Sequence, residues 1–135
     1  MSVSLAFQES ARISAGTRQK ILAAARDLHY IPNLSARQLR AGSTDMVGFL
    51  VQDFANPFHM LMMKHTESHF ARAGMNVIFG NSGWDAKQEM RFAERLIRMR
   101  VRGVLLCPTE KNPELFRKLE EAAVPYVVLD SAPEG

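Results

Sequence analysis

Four short apolar runs separated by three capped helical segments fill the chain from Met46 onward, and this alternation limits the possible folds more than any other feature. Residues 46–51 are apolar without a break, as a strand buried on both faces would be. Asn56 and Pro57 supply an N-cap followed by an N1 proline, and the helix they open runs to Ala73 and stops at Gly74. Residues 75–79 form the second run. Asp85, with Gln88 three residues on, opens a helix to about Arg100 in the manner of a capping box. Residues 104–107 are the third run. Asn112-Pro113 repeats the cap-plus-proline start of a helix ending near Ala123, and residues 126–129 are the fourth run. Strands alternating with helices predict a parallel sheet covered on both faces. Ligands meet such sheets beyond the carboxyl ends of the strands. Those ends are Gln52-Asp53, Asn81-Ser82, Pro108-Thr109 and Asp130-Ser131. They suit a small hydroxylated ligand, although loops after strands are commonly this polar.

The first 42 residues have a different character. They carry Arg12, Arg18, Lys20, Arg26, Arg37 and Arg40 against Glu9 and Asp27, a net +4, while the rest holds eleven basic and twelve acidic residues. Basic charge gathered at one end suits a polyanion. Residues 2–8 could be the second half of a helix, and residues 9–12 read as a loop. Ser14 is placed as an N-cap and Ile13 for a hydrophobic staple. Thr17, Ile21, Ala24, Ala25 and Leu28 then follow at helical spacing, which predicts a helix from Ala15 to His29. Asn33 after Pro32, with Gly42 at the far end, bounds a short helix carrying Leu34, Arg37, Leu39 and Arg40. A helix of fewer than about 12 residues is marginal alone in water, so this one needs a partner. It could be a minor-groove wedge or a linker whose leucines dock on the neighbouring domain, and local chemistry favours the linker.

Composition bounds the remaining possibilities. With 47% apolar and 23% charged residues the chain reads as a soluble globular protein. The single Cys107 excludes an internal disulfide framework, fits a reducing cytoplasm and sits in an apolar run as a buried structural thiol. No apolar run approaches the roughly 18 residues needed to span a bilayer, and no signal peptide is evident.

Residues 2–130 resemble part of a transcription regulator of the lac-repressor (LacI/GalR) type. Ser2-Val3-Ser4 resembles the Thr-Val-Ser of that family's recognition helix. Arg12-Ile13-Ser14 with Thr17-Arg18-Gln19-Lys20-Ile21 resembles the start of its third helix. Tyr30-Ile31-Pro32-Asn33 with Ala36-Arg37-Gln38-Leu39 resembles the end of that helix and the hinge helix. Val47-Gly48, Asn56-Pro57-Phe58, Arg100 to Val104 and Val124 to Asp130 resemble the effector domain in order and spacing. The resemblance overturns the linker reading. It implies an α/β protein with a partial helix-turn-helix headpiece (1–32), a hinge helix (33–42) and the first part of a periplasmic-binding-protein-like parallel α/β sandwich (43–135).

The resemblance further implies a repressor that binds palindromic operator DNA as a homodimer in the cytoplasm under control of a small-molecule effector, a sugar, nucleobase or similar. Leu39 would wedge into the central base step with Ala36 beside it. Ser2, Ser4, Ser14, Tyr30, Asn33 and Arg37 fall in the DNA-binding segments, Ser4, Ser14, Tyr30 and Asn33 as backbone-positioning contacts, and Thr17 and Arg18 also face phosphate. Asp53, Phe58, His59, Trp84 and Asp85 fall where the family contacts its effector. The first helix and the start of the recognition helix have no counterpart, nor does the second effector subdomain, so the chain reads as an internal piece of a repressor. The alternative is a sugar-like ligand-binding module without DNA-binding activity.

Other patterns have plainer readings. His65 and His69 are spaced to chelate zinc on a helix, but Glu67 is not where a metalloprotease needs it, and no metal or cofactor is expected. Residues 80–83 read as a plain turn, being neither a Walker loop nor a dinucleotide fingerprint. Arg91, Arg95, Arg98, Arg100 and Arg102 alternate with Glu89 and Glu94 as a solvated face does. Phe58, Met60, Leu61, Met62 and Met63 make one helix start apolar all round, with one side for the sheet and the other for a dimer partner. Trp84 is equally placed to stack on a sugar ring or to staple the helix that follows. No nucleophile–base pair marks an enzyme.

Overall fold

A computed structural model describes residues 6–7, 12–31, 44–109 and 112–129. The expectations for Ser2, Ser4, the hinge residues Asn33, Ala36, Arg37 and Leu39, and the fourth loop at Asp130-Ser131 lie outside these residues. The chain divides into two compact units, residues 1–40 and 41–135.

In the first unit, helix α1 spans Ala15–Asp27. Its inward face is Arg18, Ile21, Leu22 and Ala25, whereas Thr17, Ala24 and Leu28 from the expected apolar face are exposed. The helix ends two residues before the expected His29. His29 takes φ +50 and donates its N–H to Arg26, and Tyr30 donates to Ala25, which together close a Schellman motif.

The second unit contains strands β1 (Met46–Val51), β2 (Asn76–Asn81), β3 (Val104–Leu106) and β4 (Tyr126–Val128). They alternate with helices α2 (Pro57–Arg72), α3 (Ala86–Arg98) and α4 (Pro113–Glu121). The caps work as the sequence implies: Asn56 accepts from the Phe58 N–H, Asp85 from the Lys87 N–H and Asn112 from the Leu115 N–H. The sheet is parallel throughout, in the order β2-β1-β3-β4. Strand β2 runs through Gly80 and Asn81, which corrects the turn expected at residues 80–83. The turn itself is Gly83-Trp84, both at positive φ.

Alternation along the strands divides the core. Leu50, Val104 and Leu106 join Ala93, Leu96, Leu115 and Leu119 from α3 and α4. Phe49, Val51 and Cys107 turn to the other face, with Met62 and Met63 of α2 packed against them. Cys107 is buried there, as expected. Phe58, Met60 and Leu61 stand half exposed on α2. Between α3 and α4, Lys118 pairs with Glu94, and its hydrogen bond and charge hold that carboxylate below the usual range.

Helix α3 seats on two glycines. A Cβ on Gly48 would lie 2.2 Å from Leu96 Cδ1, and one on Gly80 would lie 2.5 Å from the Phe92 ring. Because Leu96 is itself fully buried, Gly48→Ala is expected to cost about 1–3 kcal/mol through overpacking. Urea unfolding of the single variants and of Gly48→Ala/Leu96→Ala would check this. The double variant should lose less than the sum of the two singles.

Candidate functional site

The strand order places a switch point between β1 and β3, where one connection goes to each side, and ligands of open α/β sheets bind there. Gln52 bridges this point by donating its Nε2 to the Pro108 carbonyl at 2.8 Å. On the β2 side the backbone ladder continues past the strands, with Ser82 N–H donating to Val51 and Gly83 N–H to Gln52, both at 2.9 Å. The loops after β1, β2 and β3 therefore form one continuous rim.

A buried carboxylate holds the third loop. Glu89 is 0% exposed, and its Oε1 accepts the Thr109 N–H. Thr109 Oγ1 in turn shares a hydrogen bond of 3.0 Å with Ser82 Oγ. Glu89 lies in the first turns of α3, where the helix dipole favours a negative group. This overturns its assignment to a solvated face. The signal was present in the spacing, since residue 89 is in helical register with the buried Ala93 and Leu96.

The structure gathers the five expected ligand residues at this rim but gives them different tasks. Asp53 Oδ1 accepts the Ala55 N–H at 2.8 Å, which shapes the loop after β1. His59 is 1% exposed and donates Nδ1–H to the Asp53 carbonyl at 2.9 Å, so it supports that loop from behind and does not face the crevice. Phe58 is half exposed beside it, its ring centroid 6.1 Å from the imidazole. Asp85 is occupied as the α3 cap, with Arg91 4.0 Å away. Trp84 takes φ +63 and is 61% exposed. A staple needs an apolar residue five positions after Trp84, and that position is Glu89, so the exposed ring fits the stacking alternative.

In the first unit, Ser14 caps α1 by accepting the Thr17 N–H at 3.2 Å, and its Oγ lies 2.8 Å from Thr17 Oγ1. Both side chains are exposed at the helix start, where backbone N–H groups suit a phosphate. Arg18 is turned inward, its Nε donating to the Ala6 carbonyl at 2.9 Å, so it ties residue 6 to α1. Tyr30 is half exposed, with its ring 6.3 Å from that of Phe7. Ser14→Ala is expected to cost about 1 kcal/mol of helix stability and to lower the helical circular-dichroism signal of the first unit.

No protein-family profile matches the chain. The HTH-type transcriptional repressor PurR of Aliivibrio salmonicida is 27% identical over 135 residues, 99% of this chain and 40% of its own length. The ribose operon repressor of Bacillus subtilis is 28% identical over 134 residues, with the same coverage of each chain. The chain is similar to transcription regulators of the LacI/GalR family over nearly its whole length. A crystal structure of the lac repressor dimer bound to operator and an anti-inducer superposes with a TM-score of 0.76 at 26% identity, covering 97% of this chain and 40% of that one. The chain thus spans about two fifths of the length of the LacI/GalR relatives it matches. Those relatives are transcriptional repressors. Among the described residues no helix is long and apolar enough to cross a membrane.

Proposed function

We propose that this chain carries the DNA-contacting and hinge segments, and the first part of the effector domain, of an operator-binding transcription repressor. The single observation that carries this reading is the continuity of the match, which runs through both units over 99% of the chain. In this reading residues 1–32 are headpiece, 33–42 the hinge helix and 43–135 the start of the effector domain. Ser14, Thr17 and Tyr30 meet the DNA backbone, joined by Ser2, Ser4 and Asn33, and Leu39 wedges into a base step with Ala36 and Arg37 beside it. The exposed Phe58, Met60 and Leu61 side of α2 is the homodimer surface in the whole protein, which acts in the cytoplasm. The rim around Asp53, Phe58, Trp84 and Asp85 meets a hydroxylated or nucleobase-like effector. Support comes from the polar crevice at the switch point and from the lac repressor dimer seen on operator.

The test is selection from a pool of duplexes with randomised inverted-repeat arms. Recovery of an inverted repeat with a flexible central step is the expected result. Recovery of sequences with no symmetry would argue against operator recognition by this chain.

A further inference from the structure

The carboxyl edge of the sheet carries two opposed electrical influences. Helices α2, α3 and α4 all start at this edge, behind their caps Asn56, Asp85 and Asn112. Helix N-termini favour anions, so the helices alone would draw a phosphorylated or carboxylated ligand into the crevice. Glu89 opposes them. It is the fourth residue of α3 and is fully buried. Its Oε1 is taken by the Thr109 N–H, and its Oε2 accepts no hydrogen bond among the described residues. Among those residues Glu89 makes no ion pair either, and Arg91, two residues on, lies 4.0 Å from Asp85 instead. Gln52, 5% exposed, adds a second buried oxygen, Oε1, that accepts nothing among the described residues. The peptide joining Pro108 to Thr109 is thus gripped at its carbonyl by Gln52 and at its N–H by Glu89. Each of the two side chains leaves one acceptor unmet.

The other charges of this edge differ from Glu89 in exposure. Asp53, Asp85, Lys87 and Arg91 are open to solvent in part or in full, and water and salt screen them. A charge with no exposed surface is screened far less and acts over a longer distance through low-dielectric surroundings. Thr109 stands one hydrogen bond from the Glu89 carboxylate and shares a further one, of 3.0 Å, with Ser82. The loops after β2 and β3, which line the crevice, therefore lie within reach of its field.

We propose that Glu89 is a specificity-determining residue whose buried negative charge reserves the crevice for an uncharged, hydrogen-bond-donating effector and excludes phosphorylated or carboxylated ones. This rests on the proposed effector-binding role of the rim. Glu89 acts through its field and touches no ligand. Donors are favoured for a related reason, since the unmet groups beneath the crevice, Gln52 Oε1 and Glu89 Oε2, are both acceptors. A sugar and a nucleoside share this chemistry, and each has a phosphorylated counterpart that differs only in charge and one group.

Trp84 is the single tryptophan of the chain and is exposed on the rim, so its emission reports occupancy. The experiment titrates the unaltered 135-residue chain, Glu89→Gln and Glu67→Gln with ribose, ribose 5-phosphate, adenosine and adenosine 5′-monophosphate, each to millimolar concentration. Glu89→Gln keeps an oxygen for the Thr109 N–H while removing the charge, and urea unfolding of the same samples shows that it is folded. Glu67, exposed on α2, controls for net charge. The unaltered chain and Glu67→Gln are expected to bind the uncharged member of a pair at least about ten-fold more tightly than its phosphorylated counterpart. In Glu89→Gln that ratio should narrow by about ten-fold. The pair that responds distinguishes a sugar from a nucleoside effector. Equal binding of both members by the unaltered chain, an unchanged ratio in Glu89→Gln, or an equal narrowing in Glu67→Gln overturns this inference and leaves the proposed function standing. No response of Trp84 to any of the four overturns the effector role of the rim and this inference with it.

Discussion

Glu89→Ala is expected to destabilise the second unit by about 3 kcal/mol and to free the loop after β3. Two costs add. The Thr109 N–H loses its acceptor in a part-buried position, at about 1–3 kcal/mol, and a cavity opens beside Ala93 and Leu96. Glu89→Gln keeps an oxygen for the Thr109 N–H and most of the volume, so it should lose less than half as much. Urea unfolding gives the stabilities, and hydrogen exchange at the Thr109 amide reports the loop. A Glu89→Ala chain within about 0.5 kcal/mol of the unaltered one, with Thr109 still protected, would remove Glu89 from this role. The consequence for function follows from connectivity. Thr109 is joined to Ser82, and Pro108 to Gln52, so a loosened third loop disorders the crevice floor at the switch point.

Leu39→Ala is expected to weaken binding to a selected palindrome at least ten-fold, about 1.4 kcal/mol, and to reduce the bend of the duplex measured by energy transfer between its ends. In the proposed reading the variant loses an apolar wedge that offsets the unstacking of a base step. Binding to a random duplex should change far less, because it depends on phosphates. Equal affinity and equal bending in the variant would assign Leu39 to packing within the protein.

The fold was largely legible because its signals are local. Continuous apolar runs marked the four strands, and Asn56, Asp85 and Asn112 marked the starts of α2, α3 and α4 through side chains whose capping bonds form as expected. Helix ends were less legible for a specific reason. All four described helices close with the same pair of backbone bonds, yet only α2 has glycine at the left-handed position. His29, Arg100 and Ala123 occupy it elsewhere, and without glycine the periodicity ran on to those residues, two beyond the true ends.

The candidate site was legible in outline and misread in detail. The crevice rule selected loops that the fold does bring together, because topology alone fixes where strand ends gather. It could not distinguish a side chain facing the crevice from one bracing it. His59 donates to its own loop from a buried position, and Asp85 is occupied in capping α3. Glu89 was missed because a glutamate just ahead of a series of arginines looks like half of a surface charge pair. Its burial follows from the register of residues 89, 93 and 96, a pattern that hydrophobicity by itself does not flag.

The central claim is that this chain recognises a palindromic operator. The most direct measurement is the anisotropy of the 135-residue chain on the selected palindrome and on a scrambled duplex of the same composition, at several salt concentrations. The account predicts tighter binding to the palindrome at every salt, with affinity for both duplexes falling steeply as salt rises. Equal binding to the two duplexes, or none to either, would contradict it.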